Sequence, residues 1–235
     1  MAKVKNMKKF EDHTRVNDIL MGPLERPALA WLSKSMPAWV NPDLLTIFGL
    51  LAGFLIGFSY YLTNFNRNFL WLASLGFVLN WFGDSLDGTL ARYRHIERPK
   101  YGFFIDHVVD IVSEVAIFLG LALSPYVDYR LATLALIAYL CMTNLVFVIT
   151  AVEGLFQISY GKLGPTEARL IAIGANTIIY FIGNPEVHLP SVNITLYNLI
   201  VLVIILLLVT FFIITTIQHG ITLSKADVKR RLEKK

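Results

Sequence analysis

Two stretches decide the fold of this chain: DSLDGTLAR at positions 84–92 and GFFIDHVVD at positions 102–110. Each stretch carries two aspartates inside a long apolar run, and the four are Asp84, Asp87, Asp106 and Asp110. Ionisable side chains are costly within helices that cross a membrane, and where they occur they usually serve a function. The two stretches therefore predict one functional site built from two membrane helices.

Helical geometry places the small and acidic residues of each stretch on one face. In the first stretch this face carries Asp84, Asp87, Gly88 and Ala91, with Arg92 one turn beyond the glycine. In the second stretch it carries Gly102, Asp106 and Asp110. Carboxylate oxygens suit Mg²⁺ or Mn²⁺, so we predict a site for these ions, two being the expected number. The glycines leave room for a phosphorylated ligand to approach the backbone.

These residues resemble the signature of the CDP-alcohol phosphotransferases (also called CDP-alcohol phosphatidyltransferases), which are integral membrane enzymes of phospholipid synthesis. That signature has two Asp, Gly and Ala-Arg, followed after a short variable gap by Gly, Asp and Asp. The chain carries every fixed position, with nine residues between Arg92 and Gly102. The resemblance implies displacement at the β-phosphorus of a CDP-alcohol by a hydroxyl group, with release of CMP.

The resemblance also implies a role for each residue of the signature. The four aspartates would bind the metal ions, and Asp110 would in addition act as the general base. The residues beside the nucleotide would be Gly88, Ala91, Arg92 and Gly102. Thr46, in an Asn-Pro-x-x-x-Thr pattern that opens an apolar run, would lie near the cytidine. The expected partners are a CDP-alcohol, lipid substrates and, as in relatives, a second copy of the chain in a membrane homodimer.

The composition agrees with an all-α integral membrane protein. Of the 235 residues, 55% are hydrophobic, and the mean hydropathy of +0.58 is unusual for a soluble domain. The polar N-terminal region predicts no cleavable signal peptide, the single Cys141 excludes an intramolecular disulfide, and no nucleic-acid-binding motif occurs. The apolar runs predict six membrane spans, at residues 43–62, 69–91, 102–124, 131–152, 167–183 and 194–218.

The positive charges predict how the chain lies in the membrane. Of the 21 Lys and Arg residues, only Arg67 and Arg130 fall in connections on one side of the predicted bundle. By the positive-inside rule, both termini and the aspartate-bearing connection face the cytosol. In a bacterium the protein would lie in the cytoplasmic membrane. A soluble nucleotide would reach the site from the cytosolic side.

The sequence predicts three parts. Residues 1–41 form a cytosolic and juxtamembrane segment, residues 42–220 form the six-helix transmembrane catalytic domain, and residues 221–235 form a basic cytosolic tail. Within the first part, residues 8–37 mix charged and large apolar side chains. That pattern is typical of an amphipathic helix in the headgroup region, interrupted near Gly22-Pro23 and at a later proline.

Two further elements resemble the choline and ethanolamine phosphotransferases. The run GPTE at positions 164–167 is similar to their Gly-Pro-x-Glu element, and Asp106-His107 is similar to their Asp-His pair. In that branch a His and a Glu help to deprotonate the hydroxyl of diacylglycerol, so the resemblance implies catalytic roles for His107 and Glu167. The run GPTE is equally typical of a turn and a helix start with Glu in its first turn.

Two reactions differ in which substrate carries the lipid. From the two elements above we predict a CDP-choline or CDP-ethanolamine donor and a diacylglycerol-type acceptor. The alternative, which the six-span size favours, is a CDP-diacylglycerol donor and a polar alcohol such as serine, glycerol phosphate or inositol phosphate. Lys162 and Arg169 would then be candidates to hold an anionic acceptor. A cation-coupled transporter is a remote alternative, because intramembrane acids also mark ion paths, but the Asp pattern is not repeated in the second half.

Overall fold

A computed structural model of the chain describes residues 14–16, 19–157, 164–189 and 192–233. Within these residues the helices are α1 (Gly22–Ser35), α2 (Pro42–Leu62), α3 (Phe69–Tyr93), α4 (Pro99–Ala122), α5 (Tyr129–Glu153), α6 (Pro165–Ile182) and α7 (Leu196–Leu232). The short strands are β1 (Thr14–Val16), β2 (Leu155–Gln157), β3 (Glu186–Leu189) and β4 (Val192–Thr195). Strands β1 and β2 pair in parallel, and β3 and β4 form an antiparallel hairpin.

The predicted helical architecture is confirmed, and each of the six apolar runs coincides with a helix from α2 to α7. Among the described residues, four of these helices are long and apolar enough to cross a membrane: α2, α3, α5 and α7. The prediction of six spans is not confirmed, because α4 and α6 are less apolar. Three carboxylates lie in α4, and α6 carries Glu167 and Arg169. The two strand pairs were not predicted.

The N-terminal segment differs from the amphipathic helix predicted at residues 8–37. Residues 8–13 and 17–18 lie outside the described residues, and Thr14–Val16 pairs with β2 as a strand. Helix α1 spans only Gly22–Ser35, so Gly22-Pro23 begins the helix instead of interrupting it. Proline is tolerated there because the first helical N–H groups have no partner within the helix.

The C-terminal helix is longer than the predicted last span. Helix α7 has 37 residues and continues to Leu232, which corresponds to about 55 Å at 1.5 Å per residue. The hydrocarbon core of a bilayer is only about 30 Å thick. Most of the segment predicted as a basic tail, residues 221–235, is therefore the end of a helix, and residues 234–235 lie outside the described residues.

Glycines bring α2, α3 and α4 into backbone contact. A Cβ atom added to Gly83 of α3 would lie 2.6 Å from the amide nitrogen of Gly49 in α2. A Cβ added to Gly120 of α4 would lie 2.1 Å from the carbonyl oxygen of Gly57 in α2. No side chain fits at these distances, so the close approach of the three helices depends on glycine, as is common where membrane helices cross.

Gly120→Ala is expected to destabilise the helix bundle. The added methyl group would force α4 away from α2, and overpacking of this kind costs about 1–3 kcal/mol. For a chain of this length that corresponds to a fall of roughly 2–12 °C in the unfolding temperature, measured in detergent by circular dichroism. Gly174→Ala in α6 is the matched control, because no described atom lies within 4 Å of its added Cβ. Equal unfolding temperatures for both variants would contradict the packing role of Gly120.

A buried polar cluster joins four helices of the bundle, α2, α3, α6 and α7. The Asn176 side-chain oxygen accepts hydrogen bonds from the hydroxyls of Tyr60 at 3.0 Å and Tyr197 at 2.7 Å. Its amide group donates to the Ser74 hydroxyl at 3.2 Å. This satisfied network explains why α6 carries an asparagine in the middle of an apolar run.

Candidate active site

The four aspartates line one small cavity between α2, α3 and α4. Asp84 and Asp87 lie in the C-terminal half of α3, and Asp106 and Asp110 lie in the N-terminal half of α4. The two stretches that carry them therefore meet, as their helical faces predict. The cavity wall is completed by Thr46, Gly49, Asn80, Val109 and Ser113.

The closest contact between α2 and α3 lies directly beside the cavity. Gly83 precedes Asp84, and an added Cβ at Gly83 would lie 2.7 Å from the carbonyl oxygen of Leu45 as well as close to Gly49. Because Gly83 has no side chain, the α2 backbone comes close enough to form one wall of the cavity. This contact places Thr46 of α2 opposite the aspartates of α3.

Asp87 is held by two hydrogen bonds and is only 8% exposed. The Thr46 hydroxyl donates to Asp87 Oδ2 at 2.6 Å, and the Gly88 backbone N–H donates to Asp87 Oδ1. Thr46, which the resemblance places near the cytidine, thus contacts an aspartate directly. Its contact fixes the orientation of one carboxylate of the cavity.

Asp84 is paired with a cation from α6. Arg169 Nη2 lies 2.5 Å from Asp84 Oδ2, and Arg169 Nε donates to the Asn80 side-chain oxygen at 2.9 Å. The Asn80 amide in turn donates to the Gly49 carbonyl oxygen at 2.9 Å. The sequence offered Arg169 only as a candidate for an anionic acceptor and did not indicate Asn80. The other candidate for that role, Lys162, lies outside the described residues.

Asp106 and Asp110 both approach the same nitrogen of the His107 ring. The ring Nδ1 is 3.7 Å from an oxygen of Asp106 and 3.9 Å from an oxygen of Asp110, both beyond hydrogen-bond distance. The imidazole packs against Phe103 and Phe147, with ring centroids 4.2 and 5.2 Å away. His107 therefore neighbours the two aspartates of α4 in a partly aromatic environment, but it does not line the cavity that the described residues form.

The groups at the cavity fit a divalent cation. A carboxylate oxygen of Asp106, one of Asp110 and a ring nitrogen of the neighbouring His107 lie within 4.8 Å of one another, although His107 does not line the cavity. Carboxylate oxygens are the preferred ligands of Mg²⁺ and Mn²⁺. The four carboxylates carry more negative charge than Arg169 offsets, and buried charges of one sign require neutralisation. The four aspartates are therefore the residues that would hold the predicted ions.

The remaining residues of the signature lie outside the cavity lining, on the C-terminal part of α3 and the start of α4. An added Cβ at Gly102 would meet no described atom within 4 Å, and one at Gly88 would lie 3.3 Å from Arg92 Nη1. Arg92 is exposed, and its Nη2 donates to the Thr89 hydroxyl at 3.2 Å. Ala91, half-buried, lies between the glycine and the arginine. These residues combine a positive charge with little side-chain bulk, which suits the binding of phosphate groups.

Glu167 does not line the cavity that the described residues form. Its two oxygens accept backbone N–H groups, Oε1 from Met21 at 2.8 Å and Oε2 from Gly164 at 2.9 Å. The neighbouring Thr166 hydroxyl donates to Glu25 of α1 at 3.0 Å. Of the two interpretations of the run GPTE, this geometry favours the helix start: the run caps α6 and ties it to the beginning of α1.

Glu167→Ala is expected to loosen α1 while CMP release stays above a tenth of the wild-type rate. The substitution leaves the Met21 and Gly164 N–H groups without their carboxylate, so the start of α1 loses its tie to α6. Faster amide hydrogen exchange in residues 21–28 would show this. A general base contributes about 10²–10⁴ in rate, so a loss of that size without faster exchange would instead establish a catalytic role for Glu167.

Comparison with known proteins gives one family model and several curated relatives. The family model described as CDP-alcohol phosphatidyltransferase matches residues 39–223. Archaetidylinositol phosphate synthase of Pyrococcus horikoshii is 34% identical over 116 residues, which is 49% of this chain and 56% of that protein. Cholinephosphotransferase 1 of Gallus gallus is 26% identical over 178 residues, 70% of this chain and 51% of that protein.

A third relative, phosphatidylinositol phosphate synthase of Cutibacterium acnes, is 36% identical over 88 residues, 37% of this chain and 39% of that protein. The chain therefore spans about half the length of the curated relatives it matches, or less. The family model, in contrast, covers most of the chain, including Thr46, the whole aspartate signature and Arg169. The chain belongs to the CDP-alcohol phosphatidyltransferase family.

Proposed function

We propose that this chain transfers a phosphate-linked group from a CDP-alcohol to a hydroxyl acceptor and releases CMP. The observation that carries the proposal is the meeting of four carboxylates from α3 and α4 at one cavity, with Arg169 of α6 bonded to one of them. The family match over residues 39–223 supports the same reaction. In-line displacement at phosphorus needs mainly positioning and charge neutralisation, and these groups provide both.

Each group of the candidate site, at the cavity or beside it, has a separate task in this reaction. The four aspartates would hold Mg²⁺ or Mn²⁺, and two ions are expected. The bound ions would neutralise the charge of the pyrophosphate. Thr46 keeps the Asp87 carboxylate in one orientation through its 2.6 Å hydrogen bond. Arg92 and the backbone at Gly88 and Gly102 bind the nucleotide phosphates. Asp110 takes the proton from the attacking hydroxyl.

We further infer a CDP-diacylglycerol-type donor and a polar, anionic acceptor. Two relatives are named as synthases of a lipid-linked inositol phosphate. Arg169, which is bonded to Asp84 of the cavity, is the candidate to pair with a phosphate on the acceptor. The Glu167 carboxylate, on which the CDP-choline prediction partly depended, is occupied by two backbone N–H groups. These observations favour the alternative donor over the one expected from the sequence.

A CDP-choline or CDP-ethanolamine donor with a diacylglycerol-type acceptor is the second candidate. The match to cholinephosphotransferase 1 covers 70% of this chain, more than the matches to the two inositol phosphate synthases. His107 also lies beside both aspartates of α4. In this reaction His107 would help Asp110 to deprotonate a lipid hydroxyl.

We also propose that α4 and α6 cross the membrane together with the four apolar helices. At 1.5 Å per residue, their 24 and 18 residues measure about 36 and 27 Å, close to the thickness of the hydrocarbon core. Their charged groups turn inward, since Asp106 and Asp110 line the cavity and Glu167 is 5% exposed. The distribution of Lys and Arg favours a cytosolic site and cytosolic termini, and the family resemblance favours a homodimer.

The experiment that tests this function measures CMP release from purified protein in nanodiscs with Mg²⁺. CDP-diacylglycerol is offered with inositol phosphate, glycerol phosphate or serine, and CDP-choline is offered with diacylglycerol. We expect CMP release from CDP-diacylglycerol with a phosphate-bearing alcohol. Release only from CDP-choline would establish the second candidate. If no CMP is released from any donor, the enzymatic proposal is overturned, and the cation-coupled transporter becomes the favoured alternative.

A further inference from the structure

Ser113 is a buried hydroxyl at the cavity for which the signature gives no role. It lies in α4, three residues after Asp110, and it lines the same cavity as the four aspartates. Only 5% of the residue is exposed. Its Oγ has no hydrogen-bond partner among the described residues. Buried polar groups are nearly always hydrogen-bonded, so a hydroxyl left unpaired inside a cavity indicates a ligand that completes it.

Two other buried serines of this chain, Ser59 and Ser33, are satisfied by their own helix. The Ser59 hydroxyl donates to the Leu55 carbonyl oxygen at 2.6 Å, and the Ser33 hydroxyl donates to the Leu29 carbonyl oxygen at 2.8 Å. Such bonds to the carbonyl four residues earlier are the usual arrangement for serine within a helix. Ser113 does not make this bond within the described residues, so its hydroxyl remains available to the cavity.

Helix α2 leaves room for the Ser113 side chain because a glycine faces it. Gly53 of α2 faces Ser113, and a Cβ added to Gly53 would lie 2.8 Å from Ser113 Oγ. A larger residue at position 53 would therefore displace the serine. Asp106, Asp110 and Ser113 follow one another at four and three residues, so they occupy one stripe of α4 with Ser113 at the end farthest from Arg92.

We propose that the Ser113 hydroxyl binds the reacting hydroxyl of the acceptor and positions it against Asp110, an inference that rests on the proposed function. Ser113 donates a hydrogen bond to a lone pair of the acceptor oxygen, and the acceptor proton points to Asp110. The acceptor oxygen then forms a bond to the β-phosphorus as the bond from that phosphorus to the bridging oxygen breaks. CMP leaves with the electron pair, and the acceptor proton passes to Asp110.

Ser113→Ala tests this role because it should lower the rate of the reaction without lowering the stability of the fold. We expect kcat/KM for the acceptor to fall about tenfold, the typical worth of one hydrogen bond. The affinity for CDP should not change. The unfolding temperature should stay equal or rise, because the substitution removes a buried hydroxyl that has no partner among the described residues. A serine with a merely structural role would lose stability instead.

Ser74→Ala is the matched control. Ser74 is 6% exposed, and its hydroxyl accepts a hydrogen bond from Asn176 at 3.2 Å, far from the aspartates in the fold. This variant should lower the unfolding temperature and leave kcat/KM unchanged. If the wild type releases CMP and Ser113→Ala does so with the same kcat/KM for the acceptor, the role of Ser113 is overturned and the proposed function stands. If the wild type releases no CMP from any donor, the proposed function fails, and the role of Ser113 fails with it.

Discussion

Asp110→Asn is expected to reduce CMP release by about 10²–10⁴-fold, the usual contribution of a general base. Asparagine keeps the size of the side chain but neither takes up the acceptor proton nor offers an anionic oxygen. The protein should remain folded and inserted, because a neutral amide is less costly than a carboxylate at this buried place. The measurement is CMP release from CDP-diacylglycerol in nanodiscs, with circular dichroism to confirm the helix content.

The companion variants separate metal binding from proton transfer. Asp87→Asn and Asp106→Asn should weaken Mn²⁺ affinity, measured by the paramagnetic effect of Mn²⁺ on water relaxation, and turnover should be lost with it. Asp227→Asn is the control, since Asp227 is exposed on α7 beyond the predicted last span. Near-normal turnover in Asp87→Asn or Asp106→Asn would contradict the assignment of the four aspartates as metal ligands.

Arg169→Gln is expected to raise the KM for a phosphate-bearing acceptor by about 10- to 100-fold. A hydrogen bond between charged groups contributes about 1.5–3 kcal/mol, and glutamine retains a polar end without the charge. The KM for the same alcohol without its phosphate should change far less. Initial rates of CMP release with the two acceptors, at saturating CDP-diacylglycerol, measure this difference directly.

The control for this variant is Arg130→Gln, at the start of α5 and on the side opposite the predicted cytosolic face. It removes one positive charge without touching the cavity and should leave both KM values unchanged. An equal rise of KM for both acceptors in Arg169→Gln would show that Arg169 acts on the site through Asp84 alone. An anionic acceptor would then no longer be supported.

The meeting of the four aspartates follows from the sequence because each pair is local. Within α3 and within α4, the spacing of three or four residues places two carboxylates and a small residue on one face. In an otherwise apolar chain, two such polar faces have few packing partners except each other. The cavity in the structure contains all four aspartates for this reason.

The roles of three residues are harder to predict from the sequence. Arg169 and Asn80 contact residues that are distant in the chain, and Ser113 lacks a hydrogen-bond partner among the described residues. Arg169 reaches residues that are 85 and 89 positions away in the chain. One signal was present: a charged residue near the start of an apolar run is unusual enough to indicate a function. Nothing in the sequence indicates which serine of a helix lacks its usual carbonyl partner, so Ser113 emerges only from the structure.

Glu167 shows why a short motif does not decide a role by itself. A glycine, a proline and a glutamate three residues after the glycine satisfy the pattern of a catalytic element and that of a helix start equally well. The difference lies in what the carboxylate contacts. Here it contacts the amides of Met21 and Gly164, and residue 21 is 146 positions away in the chain.

The most direct test of the site is a structure of the protein with Mn²⁺ and CDP, with Mn²⁺ located by its anomalous scattering. We expect anomalous peaks between α3 and α4, with carboxylate oxygens of the four aspartates at a coordination distance of about 2 Å. The pyrophosphate should lie beside Gly88 and Arg92. Mn²⁺ and CDP bound together at any other place on the chain, with the aspartate cavity empty, would overturn the assignment of the four aspartates as the metal site.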